Sequence, residues 1–443
     1  MLRNIFFFVC VFSTLSSAWG QELQVGIATT DVTPAVEDRI PLGGYGSIHR
    51  RTLPFWLSKK RPFLRSFKPA LGVIDPIRAK AMFLKRPDKK LLFIGVDVIG
   101  MTKAMHEDII ARLASKGFSS EEVIISATHT HSGPGGLSNN FLWKMIAMDS
   151  YEKAFYERFI NQIVATVDAA MAKAQPAELH TLSFDAVGLQ NNRRGGTIEP
   201  QANLLMARST TGEWLGGMVN FAVHGTSLGP LNRYFSSDAP GAIEHSLEEL
   251  VNQTNGYVRT LLSDAKVIFI NGAEGDVSPA KEYKDLGAEF AQQTSAHWNE
   301  LAPLNAEWTI KQQEFELGKP KLTVRKCEDK KWVPKNFRIN VGRWIAQTSV
   351  ITQVHFGNLW FITWPGEPTT EVGRRIVAAV KATGGPQDVW VLGLSNDHMS
   401  YFTTEEEFEK GGYEACSNFF GAEGYRKVID AHVGLSHAML GTK

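Results

Sequence analysis

Five short apolar runs, each breaking directly into a polar loop, restrict the folds open to this 443-residue chain. They are Val123-Ile124-Ile125, Met218–Val223, Val267–Ile270, Leu359–Thr363 and Val389–Leu394. A strand with one face in water alternates apolar and polar residues. These runs are continuously apolar, so both of their faces must be covered. Leu91–Asp97 reads as a further strand, and helical periodicity is predicted over Lys103–Lys116, Tyr151–Ala174, Pro240–Asn252, Pro279–Glu300 and Thr370–Ala382. Buried strands alternating with helices predict an α/β fold: a large mixed β-sheet covered by helices on both faces, with the active site at the C-terminal ends of the strands. At 43% hydrophobic and 21% charged residues the chain can bury a large core. No repeat or linker interrupts it, so residues 21–443 are expected to form a single domain.

The polar loops carry the chemistry. The first is Ser126-Ala127-Thr128-His129-Thr130-His131-Ser132-Gly133-Pro134. In extended backbone, residues i and i+2 project to one side, so His129 and His131 are expected to enter one pocket. Imidazole is the commonest metal ligand and moves protons near neutral pH. The other loops present His224-Gly225-Thr226-Ser227, Asn271 to Pro279 with Glu274, Asp276 and Ser278, Trp364-Pro365-Gly366-Glu367, and Ser395 to Tyr401. Each has a purely structural reading as well. His224 can be a core histidine, Glu367 can sit in the first turn of the helix it precedes, and Ser278 can cap a helix beginning at Pro279. Tyr401 and Tyr413 can be half-buried aromatics. Taken together, two histidines, a carboxylate and another oxygen ligand make a catalytic zinc set with room for water.

The N-terminus places Arg3 before an apolar run from Ile5 to Leu15, followed by Ala18-Trp19-Gly20. This pattern predicts a secretory signal over residues 1–20, cut before Gln21 and too short to span a membrane. No later segment is long and apolar enough to span one, so a secreted or periplasmic protein is expected. Cys10 leaves with the signal, and Cys327 and Cys416 then allow one disulfide. A net charge of +1 offers no electrostatic case for nucleic acid. Ile48–Lys68 carries Arg50, Arg51, Lys59, Lys60, Arg61, Arg65 and Lys68 without an acid, interleaved with Phe55, Trp56, Leu57, Phe63, Leu64 and Phe67. It reads as a surface loop with its aromatics tucked inward, or as an amphipathic lip touching anionic lipid or a fatty substrate.

Gly26–Pro34, Ser126–Gly136, Asn192-Arg193, Phe221–Ser227, Gly275–Pro279, Pro365–Thr370, Tyr401–Glu406 and Tyr413-Glu414-Ala415 occur in this order along the chain. In these blocks it resembles the catalytic domain of the neutral/alkaline non-lysosomal ceramidases, zinc amidases that split ceramide into sphingosine and a fatty acid. The resemblance implies His129, His224, Glu367 and Tyr401 as zinc ligands. It implies catalytic or substrate-positioning roles for His131, Arg193 and Tyr413. Ser278 matches a serine the family needs, either as nucleophile or as support for the zinc site. The implied substrate is ceramide or a similar N-acyl lipid. Another amide or ester, such as an N-acyl amino acid, is the alternative within enzymes. A sphingolipid-binding protein on a degenerate scaffold is disfavoured, because every metal and acid–base position is filled. A plain serine hydrolase is disfavoured because Gly275-Asp276-Val277-Ser278-Pro279 lacks the second glycine of a nucleophile elbow. The sequence also departs from the family. Only about thirty residues follow Tyr413 here, so the immunoglobulin-like β domain of better-known members is not expected within this sequence. Arg194 stands where a serine is usual, and His398-Met399-Ser400 stands where the family usually has an aromatic-containing run.

Overall fold

The computed structural model describes residues 23–51, 66–256, 265–327 and 337–442. The expected signal segment and the 52–65 stretch of the basic-aromatic segment lie outside the described residues. In chain order the main elements are β1 (Gln24–Asp31), β2 (Arg78–Lys85), β3 (Lys90–Val96), α1 (Lys103–Ala114), β4 (Val123–Ala127), α2 (Lys153–Ala172), β5 (Gln175–Asp185), β6 (Gln201–Ser209) and β7 (Trp214–Phe221). They continue with α3 (Asp238–Thr254), β8 (Lys266–Asn271), α4 (Tyr283–His297), β9 (Ala302–Leu304), β10 (Thr309–Glu316), β11 (Thr348–Phe356), β12 (Leu359–Thr363), α5 (Thr370–Lys381), β13 (Asp388–Leu392) and α6 (Gly424–Leu440).

These main strands divide between two sheets. The larger runs β8-β7-β6-β5-β1-β2-β3-β4, with β9 added onto β5, and the smaller runs β10-β11-β12-β13. Both are mixed: β3–β4, β7–β8 and β12–β13 are parallel, and the remaining pairs are antiparallel. The predicted apolar runs supply every strand of the parallel pairs.

Contact between β1 and β5 is limited to Gln24–Pro176 and Val25–Gln175, so the larger sheet is joined through a narrow corner. Its two limbs and the smaller sheet enclose one interior. Val25, Met82, Phe93 and Ile124 from one limb meet Leu205, Met218 and Ile268 from the other and Val354, Phe361 and Trp390 from the smaller sheet. Helices cover the outer faces. Ile94 and Ile125 pack on Ile109 of α1 and Phe159 of α2. Phe221 and Phe269 pack on Ile243 of α3 and Phe290 of α4. Ile362 and Val391 pack on Ile376 of α5 and Val428 of α6. The expected helical cover on both faces is therefore met by the molecule as a whole, while the inner faces of its sheets cover one another.

The antiparallel strands β1, β2, β5, β6, β10 and β11 were not predicted, because charged and polar residues break their apolar pattern. In β2, Lys80 is 0% exposed and pairs with Asp97 at 2.5 Å and Glu244 at 2.9 Å. Arg78 beside it pairs with Glu244 at 2.8 Å and Glu248 at 3.0 Å. The helix expected from Pro279 starts at Tyr283 instead, with Glu282 as its cap. Ser278 is thus no helix cap; it lies in a short strand, Val277–Pro279, paired antiparallel with Gln190–Asn192. Cys327 and Cys416 form a disulfide. Among the described residues, no helix is long and apolar enough to cross a membrane.

Candidate metal centre

The three parallel pairs end close together, and their loops are tied to one another through backbone. Thr130 bridges Gly225 in parallel, and the His131 N–H donates to the Gly225 carbonyl at 2.9 Å. A Cβ at Gly225 would stand 2.6 Å from the Thr130 Cα, so only glycine lets these two loops touch. Glu367–Pro368 pairs in parallel with Tyr401–Phe402, bringing the loops after β12 and β13 together. Glu367 therefore belongs to a ladder ahead of α5, whose N-cap is Thr369. The extended backbone expected for His129 is not what places it. His129 has φ +65°, in the left-handed region that a non-glycine residue rarely occupies. Leu394, Asn396 and Ser400 share that region in the loop after β13, so backbone strain collects around this site.

The side chains converge. Glu367 Oε2 lies 3.3 Å from His129 Nε2 and 3.2 Å from His224 Nε2. The Tyr401 hydroxyl is 3.2 Å from His224 Nε2, and His131 Nε2 is 3.4 Å from His129 Nε2. All five residues are buried. Burial alone would raise the Glu367 pKa, but the histidines around it, His129 foremost, hold its carboxyl well below the usual range. Burial, reinforced by Arg193, draws His224 down to about 3. Burial and then the neighbouring His129 and His224 hold His131 well below its ordinary value. An ionised Glu367 carboxylate beside the neutral imidazole of His224 is the protonation state a cation requires of such groups.

These residues fit zinc. With bonds of about 2.0–2.1 Å to nitrogen and oxygen, the ligand atoms of a tetrahedral zinc stand about 3.3 Å apart, the spacing seen from His129 to Glu367, Glu367 to His224 and His224 to Tyr401. His129 Nδ1 donates to the Ile99 carbonyl at 2.6 Å, which leaves the Nε2 lone pair facing the cluster. Glu367 Oε2 accepts no hydrogen bond despite being buried.

The cluster faces a cavity of about 1280 Å³ lined by His129, His131, Arg193, Ser278, Glu367, Tyr401 and Tyr413, with Trp143, Tyr151, Trp344, Ile345, Met399 and Phe419 forming apolar wall. His224 stands behind this surface, fully buried.

A family model described as neutral/alkaline non-lysosomal ceramidase, N-terminal, matches residues 23–296 and 286–430. The chain belongs to this family. It is 23% identical to the neutral ceramidase of Pseudomonas aeruginosa, over 89% of this chain and 69% of that protein. It is 22% identical to the neutral ceramidase of Mycobacterium tuberculosis, over 94% of this chain and 77% of that protein. Among solved structures, neutral ceramidase from Pseudomonas aeruginosa superimposes with a TM-score of 0.78 at 21% identity, covering 95% of this chain and 74% of that one.

Around this ceramidase-family cluster, Arg193 donates to the Gly275 carbonyl at 2.6 Å, and its Nε lies 3.3 Å from Glu414. Arg194, one of the departures from the family, pairs with Glu414 at 2.8 Å and donates to the Glu407 and Gly411 carbonyls, so its charge is spent on holding the 407–414 segment. Tyr413, 62% exposed, stands at the rim with its ring edge-to-face on Tyr401 at 5.4 Å. Ser278 Oγ donates to the Asn191 carbonyl at 3.4 Å.

Two residues have roles, and a third a setting, that sequence reasoning missed. Arg50, counted among the cations of the surface segment Ile48–Lys68, is 3% exposed and donates to the carbonyls of Gly43 and His131. His398, noted only as a departure, places Nε2 3.0 Å from Glu367 Oε1. Its signal was present, because it lies in the loop already singled out after β13. Glu274 is fully buried with neither carboxyl oxygen hydrogen-bonded, and burial pushes its pKa well above the usual range. Nothing in Gly272-Ala273-Glu274-Gly275 distinguishes that glutamate from a solvated one.

Proposed function

We propose that this protein is a zinc-dependent amidohydrolase that cleaves the amide bond of ceramide or a similar N-acyl sphingolipid, releasing a sphingoid base and a fatty acid. The observation that carries the reading is the convergence of His129, His224, Glu367 and Tyr401 at the spacing of tetrahedral ligands beside a large, aromatic-lined cavity. These four would hold zinc, and the names of the ceramidase relatives supply the substrate class. Zinc held there would supply Lewis acidity and a water acidic enough to ionise near neutral pH.

The chain's own residues account for the remaining steps. Arg193 and Tyr413 line the cavity as donors for the negative charge that develops on the amide oxygen. His131, neutral and with Nε2 toward the cluster, takes up a proton and passes it to the departing nitrogen, which leaves only as a protonated amine. The Ser278 hydroxyl turns to a backbone carbonyl rather than to a histidine, which favours support of the site over nucleophilic attack. Trp143, Trp344 and Phe419 would receive the hydrocarbon chains. Ile48, 63% exposed, begins the Ile48–Lys68 segment, which would touch a lipid surface. Residues 21–443 act as one exported domain, secreted or periplasmic, in this reading.

The test is fatty-acid release from labelled ceramide by the purified protein as isolated, after chelation and after zinc is returned. Activity lost and then restored supports the proposal. A zinc-loaded protein inert on ceramide keeps the metal centre and moves the substrate to another N-acyl amide or ester.

A further inference from the structure

We infer that His398 is a positioning residue of the metal centre: its Nε2 holds Glu367 Oε1, so that Oε2 alone is presented to His129 and His224. The inference rests on the zinc reading above. An ionised carboxylate has two equivalent oxygens and can meet a cation through one or both. Here the oxygens are divided. Oε1 lies 3.0 Å from His398 Nε2, whereas Oε2 faces His129 and His224 and accepts no hydrogen bond. Among the described residues His398 Nδ1 has no hydrogen-bond partner, whereas Nε2 has the Glu367 Oε1 acceptor in reach and donates to it.

The ring is held in that pose from several sides. It stacks on His129 at 5.9 Å and 13° and meets the edge of Trp143 at 4.7 Å. A Cβ at residue 100 would stand 2.6 Å from His398 Cδ2, so the space for this ring depends on Gly100. The following N–H, of Met399, donates to the Pro365 carbonyl at 3.0 Å.

His129, Glu367 and His398 together also have the spacing of a metal triad. Yet His129 has committed Nδ1 to the Ile99 carbonyl, and its one remaining nitrogen cannot serve two ions. His129 and His224 converge on Oε2 while His398 meets Oε1, an arrangement that suits a hydrogen bond orienting the carboxylate.

The test measures zinc affinity by chelator competition, zinc stoichiometry, and the visible spectrum of the cobalt-substituted protein, for wild type, His398→Phe and His398→Gln. His398→Phe should lose about 10- to 100-fold in zinc affinity, and its cobalt spectrum should shift. His398→Gln, whose amide can reach the same oxygen, should restore both, and the metal-free unfolding midpoint should separate any general loss of fold. Equal affinity and spectra in wild type and His398→Phe overturn the inference, as does a glutamine variant as weak as the phenylalanine one. Two zinc ions in wild type and one in His398→Phe would make His398 a ligand and overturn it too. A wild type that binds no zinc sinks the zinc reading itself and this inference with it. Should the phenylalanine variant not fold, ¹⁵N-histidine spectra of the wild type decide: a protonated Nε2 on His398 supports the role, and a bare one overturns it.

Discussion

Glu367 and Tyr401 stand directly opposite one another in a two-residue parallel ladder. Backbone bonds from Glu367 N to Ser400 O and from Thr369 N to Phe402 O, both 3.0 Å, secure the pairing. The ladder survives loss of the Tyr401 hydroxyl. Tyr401→Phe should therefore keep its metal-free thermal midpoint while zinc affinity and turnover fall, by about tenfold or more in affinity. Isothermal titration with zinc beside a melting curve checks this; unchanged affinity would remove Tyr401 from the ligand set.

His129 and His131 should separate by function. His129→Ala removes a nitrogen 3.3 Å from Glu367 Oε2 and is expected to lose both zinc and activity. His131→Ala should retain zinc and lose about 10²–10⁴-fold in kcat, the usual contribution of a proton-transfer group. Metal content by mass spectrometry and steady-state kinetics supply the comparison. Equal zinc loss in both variants would show that His131 is itself a ligand.

The buried charge network under β2 should be costly to break. Lys80 neutralises Asp97 and Glu244 where none of the three side chains reaches solvent. Lys80→Met leaves excess buried negative charge, and about 3–5 kcal/mol of stability should go with it. Chemical denaturation is the measurement, and a loss under about 1 kcal/mol would mean that the carboxylates find other partners or take up protons.

Acid should weaken the fold through His432, a buried histidine outside the metal-ligand cluster. His432 Nε2 donates to the Thr363 carbonyl at 2.8 Å, its Nδ1 faces Gln353 Nε2 at 3.1 Å, and burial draws its pKa from 6.5 to about 4. Folded, this base binds fewer protons than unfolded, so its full stability is present above pH 6.5 and is lost as the pH falls from 6.5 toward about 4. The loss approaches about 3 kcal/mol at the acid end. Melting temperatures of the metal-free protein across this window should decline, and His432→Gln should decline less steeply. Parallel slopes for the two proteins would assign the acid sensitivity elsewhere.

The sequence by itself determined the parallel strands, the loops that follow them, and which side chains those loops could offer. These are local properties: a continuous apolar run marks a strand covered on both faces, and the polar residue next to it stands at the strand's end. Hence His129, His224, Glu367 and Tyr401 could be singled out from residue type and family resemblance. Tertiary structure decided what depends on partners distant in the chain. Lys80 and Arg78 make β2 look like surface until Asp97, Glu244 and Glu248 arrive to neutralise them. Arg50 reads as one more cation of a basic lip until the Gly43 and His131 carbonyls are seen to enclose it. His129 reaches the cluster through a left-handed turn rather than through strand alternation, and His398 acquires a task only because the Glu367–Tyr401 ladder brings Glu367 Oε1 within its reach. Charge and hydrogen-bonding capacity are written in the residue, whereas burial and pairing belong to the assembled fold.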